Sequence, residues 1–255
     1  MMTSLFSAIA LGLCLPAGTA IATILGIPSV EGLEMTSVLA VPNSAEAELA
    51  HWLRLRQQSP DRAAEIDALI RDRFGAVRTV MVIDMSGFSQ LTETFGIIAT
   101  LQEIYRLRDL SIPMLEASGG SVFKAEADSL YATFDSPAAA IAAADDLLTL
   151  LNAAGLHASI GIGHGEVLLI DDREVYGAEL NLASRLGEDL AAADEILITE
   201  AAYTMLLQSN PEIPASFERR ETTASGLTFP VYTLQRAREK QDAQSSSQSI
   251  FVSSR

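Results

Sequence analysis

Val77 to Met85, read VRTVMVIDM, is an apolar run that breaks on an acid, after which Ser86-Gly87 turns the chain into a segment of helical periodicity. This run constrains the fold most, because every later element must pack against so apolar a strand. The helix after it is marked by Ile97, Leu101, Ile104, Leu107 or Arg108, Ser111 and Leu115, and Gly119-Gly120 closes it. Two short strands flank Glu126-Ala127, and Pro137 to Ala154 is an alanine-rich helix with a Ser-Pro start. His157 to Ile170 reads as a strand hairpin turning near Gly163 to Gly165. A helix over about 179–190, a strand at 196–199, a helix from Glu200 and strands near 216–220 and 227–234 follow. Strand, helix, strand, strand, helix, strand is the split βαβ order. The expected class is α+β, a ferredoxin-like antiparallel sheet backed by helices.

Upstream, residues 36–45 read as a linker and Ala45 to Phe74 as helix interrupted near Ser59-Pro60, its apolar face Leu49, Trp52, Leu53, Ile66, Leu69 and Ile70. The expected division is an apolar segment at 1–35, a linker and helical lead-in at 36–76, a catalytic domain at 77–235 and a disordered Gln/Ser-rich tail at 236–255. The first 30 residues carry no charge, and Leu5 to Ile27 is long enough to span a bilayer. No basic residue precedes that stretch and the first after it is Arg54, so the flanks give no orientation. Two readings stay open: a membrane anchor over 5–27, or translation from Met35, where Met-Thr-Ser repeats the start. A cytoplasmic catalytic domain, tethered to the inner membrane under the first reading, is the expectation.

The balance of 33 acidic against 17 basic residues, a formal charge of −16, argues against tracking a nucleic-acid backbone, where affinity comes from Lys and Arg. The single cysteine, Cys14, excludes an intrachain disulfide and a cysteine-based zinc site.

Asp84 and Asp128 lie 44 residues apart, each where an apolar run breaks into a turn. Carboxylates on adjacent strand ends can hold two divalent metals against a triphosphate. Asn181 and Arg185, four apart, project from one helix face. Taken singly, each has a plainer reading: a turn-forming Asp, a solvated Lys124, or an Arg185 paired with Glu188 or Asp189. His164 and His157 read as structural. Together, Asp84-Met-Ser-Gly87-Phe88, Lys124-Ala-Glu-Ala-Asp128, Tyr176-Gly177 and Asn181-Leu-Ala-Ser-Arg185 resemble the motifs of the class III adenylate/guanylate cyclase catalytic domains, over about residues 77 to 235.

That resemblance implies a nucleotidyl cyclase converting ATP to 3′,5′-cyclic AMP and pyrophosphate. It implies two Mg2+ or Mn2+ ions at Asp84, Met85 and Asp128, a phosphate turn at Gly87, Phe88 and Ser89, and base contacts from Lys124 and Glu174. Asn181 would orient the ribose, and Arg185 would stabilise charge on the α-phosphate. It also implies a homodimer in which each site is completed across the interface. Lys124 is the adenylyl type. Three positions depart from the pattern: Ala127 where Gly is usual, Glu174 where Asp or Thr binds the base, and Ser225 where a phosphate-binding Lys often stands, with Arg219 or Arg220 as substitutes. Those departures keep a second class in view, a degenerate cyclase homology domain that binds nucleotide or a partner without turnover. A diguanylate cyclase is set aside, because the Gly-Gly-acidic signature is missing from the central hairpin.

Overall fold

Ser44 begins the described chain by capping a helix: its hydroxyl accepts the Ala47 amide at 3.2 Å, ahead of α1 (Ala45–Gln58). The computed structural model describes residues 44–171, 173–209, 216–224 and 226–236. The apolar stretch 5–27, Met35, Ser225 and the tail beyond 236 lie outside the described residues. Among the described residues no helix is long and apolar enough to cross a membrane.

A single 3-10 turn at Pro60–Arg62 joins α1 to α2 (Ala63–Phe74), where the Ser59-Pro60 break is expected. Ile66, Ile70 and Phe74 are buried against Leu49, Trp52 and Leu55 of α1 and Ile170 of the sheet. Leu53 and Leu69, expected on that face, are instead 46% and 39% exposed. The helices meet along one narrow seam, so a wider apolar stripe leaves its flanks in solvent.

Behind the lead-in stand β1 (Gly75–Met85), α3 (Phe88–Phe95), α4 (Ile97–Ala117), β2 (Ser121–Glu126), β3 (Ser129–Phe134) and α5 (Pro137–Ala153). They are followed by β4 (Ala158–Ile170), β5 (Glu174–Tyr176), α6 (Ala178–Ser184), β6 (Ile196–Thr199), α7 (Glu200–Ser209), β7 (Phe217–Ala224) and β8 (Leu227–Leu234). The sheet runs β2-β3-β1-β4-β6-β8-β7, with β5 on β4. Among the described strands only β4 and β6 pair in parallel. The α+β expectation holds, and β1 is central.

One sheet face carries the main core, in which Met81, Ile83, Leu130 and Ile160 meet Ile104, Leu107 and Leu115 of α4 and Leu147, Leu148 and Leu151 of α5. Each such fully buried aliphatic contributes about 1.5–3 kcal/mol. Along α4 the buried positions are Thr100, Ile104, Leu107, Ser111 and Leu115, a 3.6-residue stripe. Ile97 and Leu101, expected on it, are 50% and 44% exposed: Leu101 lies on the flank of the stripe, and Ile97, the first residue of α4, stands ahead of its first buried position, Thr100. Val80, Val82, Val167, Val175 and Ala183 form a second cluster, to which Phe123 of β2 and Leu180 of α6 are added. Phe123 and Val175 sharing it means the sheet curls until β2 approaches β5.

The expected hairpin turn at Gly163 to Gly165 is absent; β4 runs unbroken from Ala158 to Ile170, paired with β1 from Gly75↔Leu168 to Met85↔Ala158. The glycines serve packing. A Cβ on Gly161 would stand 2.0 Å from the Ala183 carbonyl oxygen, and one on Gly163 would stand 2.5 Å from that of Glu179. Glycine at every second position of one strand face lets α6 lie directly on the sheet. The helix expected over 179–190 ends at Ser184 and continues as a wide π turn, Arg185–Leu190. Gly187 there rests on the Val82 carbonyl, where a Cβ would be 2.9 Å from the oxygen.

Candidate active site

β1 carries Asp84 to the end of the sheet's central strand, and the register places Ser129 of β3 and Ser159 of β4 on either side of it. Ser129 Oγ donates to Asp84 Oδ1 at 3.1 Å. Asp128 lies in the β2–β3 turn next to that serine, and its carbonyl accepts the Met85 amide at 3.1 Å. Thus the two expected metal acids and the Met85 backbone occupy one corner. The turn past Asp84 is pinned from β4's side, where Ser86 donates to the His157 carbonyl at 3.0 Å. Gly87 has a φ of 86° and caps α3, so the first amides of Phe88 and Ser89 are free of helical partners, as an anion-binding turn requires. Phe88 is half-buried against the core, which orients that turn.

Ala127 adopts a φ of 46°. A Cβ in this left-handed region costs about 1 kcal/mol relative to glycine, the penalty expected of an alanine in a glycine position.

The corner is crowded with negative charge. The Asp84 carboxyl is pushed up to about 6, first by burial and then by the charge of Asp128, with Glu188 and Asp189 adding to it and the Ser129 hydrogen bond opposing. A half-buried carboxyl whose charge is opposed by burial and by a neighbouring carboxylate suits a divalent cation, so the residues present fit the metals that the motifs imply. Among the described residues no group of three or more His, Cys, Asp or Glu side chains could hold a metal together. Asp84 and Asp128 would be the side-chain ligands, with further oxygens coming from backbone or substrate.

The same shift has a stability consequence. A carboxyl whose folded value lies near 6, above its ordinary 3.8, favours the fold fully below 3.8, and that contribution is lost as pH rises through about 6. Asp84→Asn, neutral throughout, should therefore melt at a higher temperature than wild type at pH 7.5 in chelator, with little difference at pH 4. Parallel thermal melts at the two pH values test this; equal melting temperatures at pH 7.5 would remove the charge-crowding account.

Asn181 and Arg185 project from α6 and the start of the π turn, and both are exposed. Arg185 Nη1 pairs with Asp189 Oδ2 at 3.1 Å. Lys124 pairs with Glu126, its Nζ 5.5 Å from the Tyr131 ring centroid. Glu174, exposed on β5, accepts the Tyr176 hydroxyl. Surface pairs of this kind contribute about 0–1 kcal/mol, little enough for a binding ligand to displace. Arg219 pairs with Glu221 at 2.5 Å and Arg220 with Glu195 at 3.1 Å, on the sheet edge opposite β2.

Tyr131 and Glu188 were not singled out by the motifs. Tyr131 donates its hydroxyl to Glu188 Oε1 at 2.8 Å, joining the β3 hairpin to the π turn, and burial and that acid push the phenol up to about 12. Sequence alone offered no signal for the pair, which lies 57 residues apart. His164 is buried with Nδ1 2.9 Å from Thr79 Oγ1, and His157 Nδ1 stands 2.6 Å from Asp194 Oδ2.

No family model and no curated protein matches the sequence. Solved structures do. An adenylate/guanylate cyclase/hydrolase from Silicibacter pomeroyi is 24% identical with a TM-score of 0.53, covering 64% of this chain and 98% of that one. The adenylyl cyclase CyaB from P. aeruginosa is 21% identical with a TM-score of 0.51, covering 64% and 96%. The catalytic core of a rhodopsin-guanylyl cyclase with converted specificity, in complex with ATPαS, is 16% identical with a TM-score of 0.52, covering 63% and 97%.

Proposed function

We propose that this chain, which has the fold of the class III adenylyl and guanylyl cyclase catalytic domains, is itself a nucleotidyl cyclase, with ATP as substrate and residues 77–235 as the catalytic unit. The observation that carries this reading is the convergence of Asp84 and Asp128 beside the Ser86-Gly87 turn. Divalent cations held there, Mg2+ or Mn2+, would lower the pKa of the ribose 3′-hydroxyl and neutralise the polyphosphate.

The chain's own residues do the rest. The amides at Phe88 and Ser89 receive phosphate oxygens at the start of α3. Asn181 holds the ribose so that the 3′-oxygen lies in line with the α-phosphorus. Arg185 leaves Asp189 for the α-phosphate, where a forked, permanent cation meets the charge that grows as pyrophosphate departs. Attack of the 3′-oxygen, its proton passing to solvent, then forms the cyclic phosphodiester and breaks the bond from the α-phosphorus to the bridging oxygen, which leaves with pyrophosphate.

Curling of β2 toward β5 puts the strands bearing Lys124 and Glu174 near one another, which supports a shared base pocket. Asp84 and Asp128 belong to the complementary half of a site closed by a second copy of the chain. Incubating the chain with each nucleoside triphosphate and Mn2+, with products resolved by mass, tests the activity. Formation of no cyclic nucleotide by the dimeric protein would end this reading.

Base choice follows from donor and acceptor matching. Lys124 donating to N1 and Glu174 accepting from the N6 amine favour adenine, whereas guanine would turn O6 toward the carboxylate. An unpaired polar contact costs about 1–3 kcal/mol, or roughly ten- to hundredfold in selectivity. Lys124→Glu should therefore erode the ATP preference, and Glu174→Asp should keep or sharpen it. A wild type that prefers GTP, CTP or UTP at equal concentration removes the pocket assignment and leaves cyclisation untouched.

A further inference from the structure

Asp128 stands in a tight turn whose first residue, Ala127, sits in the left-handed region at a φ of 46°. A residue with a Cβ persists there only where its surroundings over-determine the backbone. Two hydrogen bonds from outside the turn do this. Arg108 of α4 donates from Nη2 to the Ala127 carbonyl at 2.5 Å, and Met85 of β1 donates its amide to the Asp128 carbonyl at 3.1 Å. The peptide between Ala127 and Asp128 is thereby held from the helix on one side and the central strand on the other. The direction of the Asp128 side chain follows from that peptide.

Arg108 is itself fixed in place. Its guanidinium carbon lies 5.4 Å from the Tyr105 ring centroid, one helical turn back. Its Nε is buried and without a hydrogen-bond partner among the described residues. An unpaired buried N–H opposes this placement, so the side chain is kept there by the Ala127 carbonyl and the ring.

We infer that Arg108 is a positioning residue for the metal site: through the Ala127–Asp128 turn it aims the Asp128 carboxylate, touching neither nucleotide nor metal. The inference takes from the proposed function the role of Asp128 as a ligand. Electrostatics and positioning predict opposite signs here. Removing a cation beside a cation site should by charge alone tighten metal binding. Loss of a group that orients a ligand weakens it, by about ten- to hundredfold where outer partners of metal ligands have been changed.

The test is Mn2+ binding to the full chain in the presence of 3′-deoxy-ATP, which lacks the attacking hydroxyl, read from the electron paramagnetic resonance signal of free Mn2+. Arg108→Met keeps the aliphatic stem and removes every donor; it should raise the Mn2+ dissociation constant about tenfold, with nucleotide affinity and melting temperature near wild type. Arg108→Lys, which restores a donor, should recover part of the loss. Unchanged or tighter Mn2+ binding in Arg108→Met overturns the inference. Equal weakening in both variants with a lowered melting temperature overturns it too, because that pattern means general destabilisation. Wild-type protein that binds Mn2+ and forms no cyclic product would end the cyclase reading while leaving the positioning role intact; wild type that binds no Mn2+ ends both.

Discussion

Asp84→Ala and Asp128→Ala are each expected to lower cyclic nucleotide formation by about two to three orders of magnitude, measured as product per minute at saturating ATP and Mn2+. The two acids meet at one corner, Asp84 held by Ser129 Oγ and Asp128 by the Met85 amide, so neither has a neighbour placed to replace it. Glu188 and Asp189 are near enough to raise the Asp84 carboxyl, but Glu188 is engaged with Tyr131 and Asp189 with Arg185. Folding should survive the changes, since removing a crowded charge at Asp84 relieves the native state above pH 6. A variant of either acid that keeps more than a tenth of the wild-type rate would remove the two-metal assignment.

Mixing two dead proteins should restore activity. Asp84→Ala lacks one half of the site and Arg185→Ala the other, and in a head-to-tail dimer one of the two interfaces of the heterodimer carries both intact residues. An equal mixture should recover roughly a quarter of the wild-type rate, because about half the dimers are mixed and each has one working site of two. Each protein alone stays inactive. Heterodimers shown to form, by two affinity tags for example, yet giving no product would place Asp84 and Arg185 in a single-chain site instead. The exposed position of Arg185, paired among the described residues with Asp189 on its own turn, leaves it accessible to a second copy.

Much of the fold was legible before any coordinates. The run from Val77 to Met85 is the central strand because four consecutive fully apolar residues, Val80 to Ile83, are buried on both faces. The Ser-Pro start of α5 and the Ser59-Pro60 break lie where local chemistry puts them. Two expectations failed for a common reason. Gly161, Gly163 and Gly165 look like a turn locally but are a clearance for α6, and the apolar residues Ile97 and Leu101 look like core but lie ahead of the first buried position of α4 and on the flank of its buried stripe. In both, a residue type that serves two purposes was assigned the local one, and what decided otherwise was where a helix meets the sheet.

What the sequence determined by itself is the α+β order of elements, the strand-end placement of Asp84 and Asp128, and the spacing of Asn181 and Arg185, because hydrophobic period and turn chemistry act within a few residues. Only the tertiary structure decided that Asp84 is crowded enough to rise to about 6, that Tyr131 ties the hairpin to the π turn through Glu188, and that Arg108 reaches the Ala127 carbonyl. Charge and hydrogen bonding act through space, and these partners stand 19 (Arg108 to Ala127) to 105 (Asp84 to Asp189) residues apart along the chain.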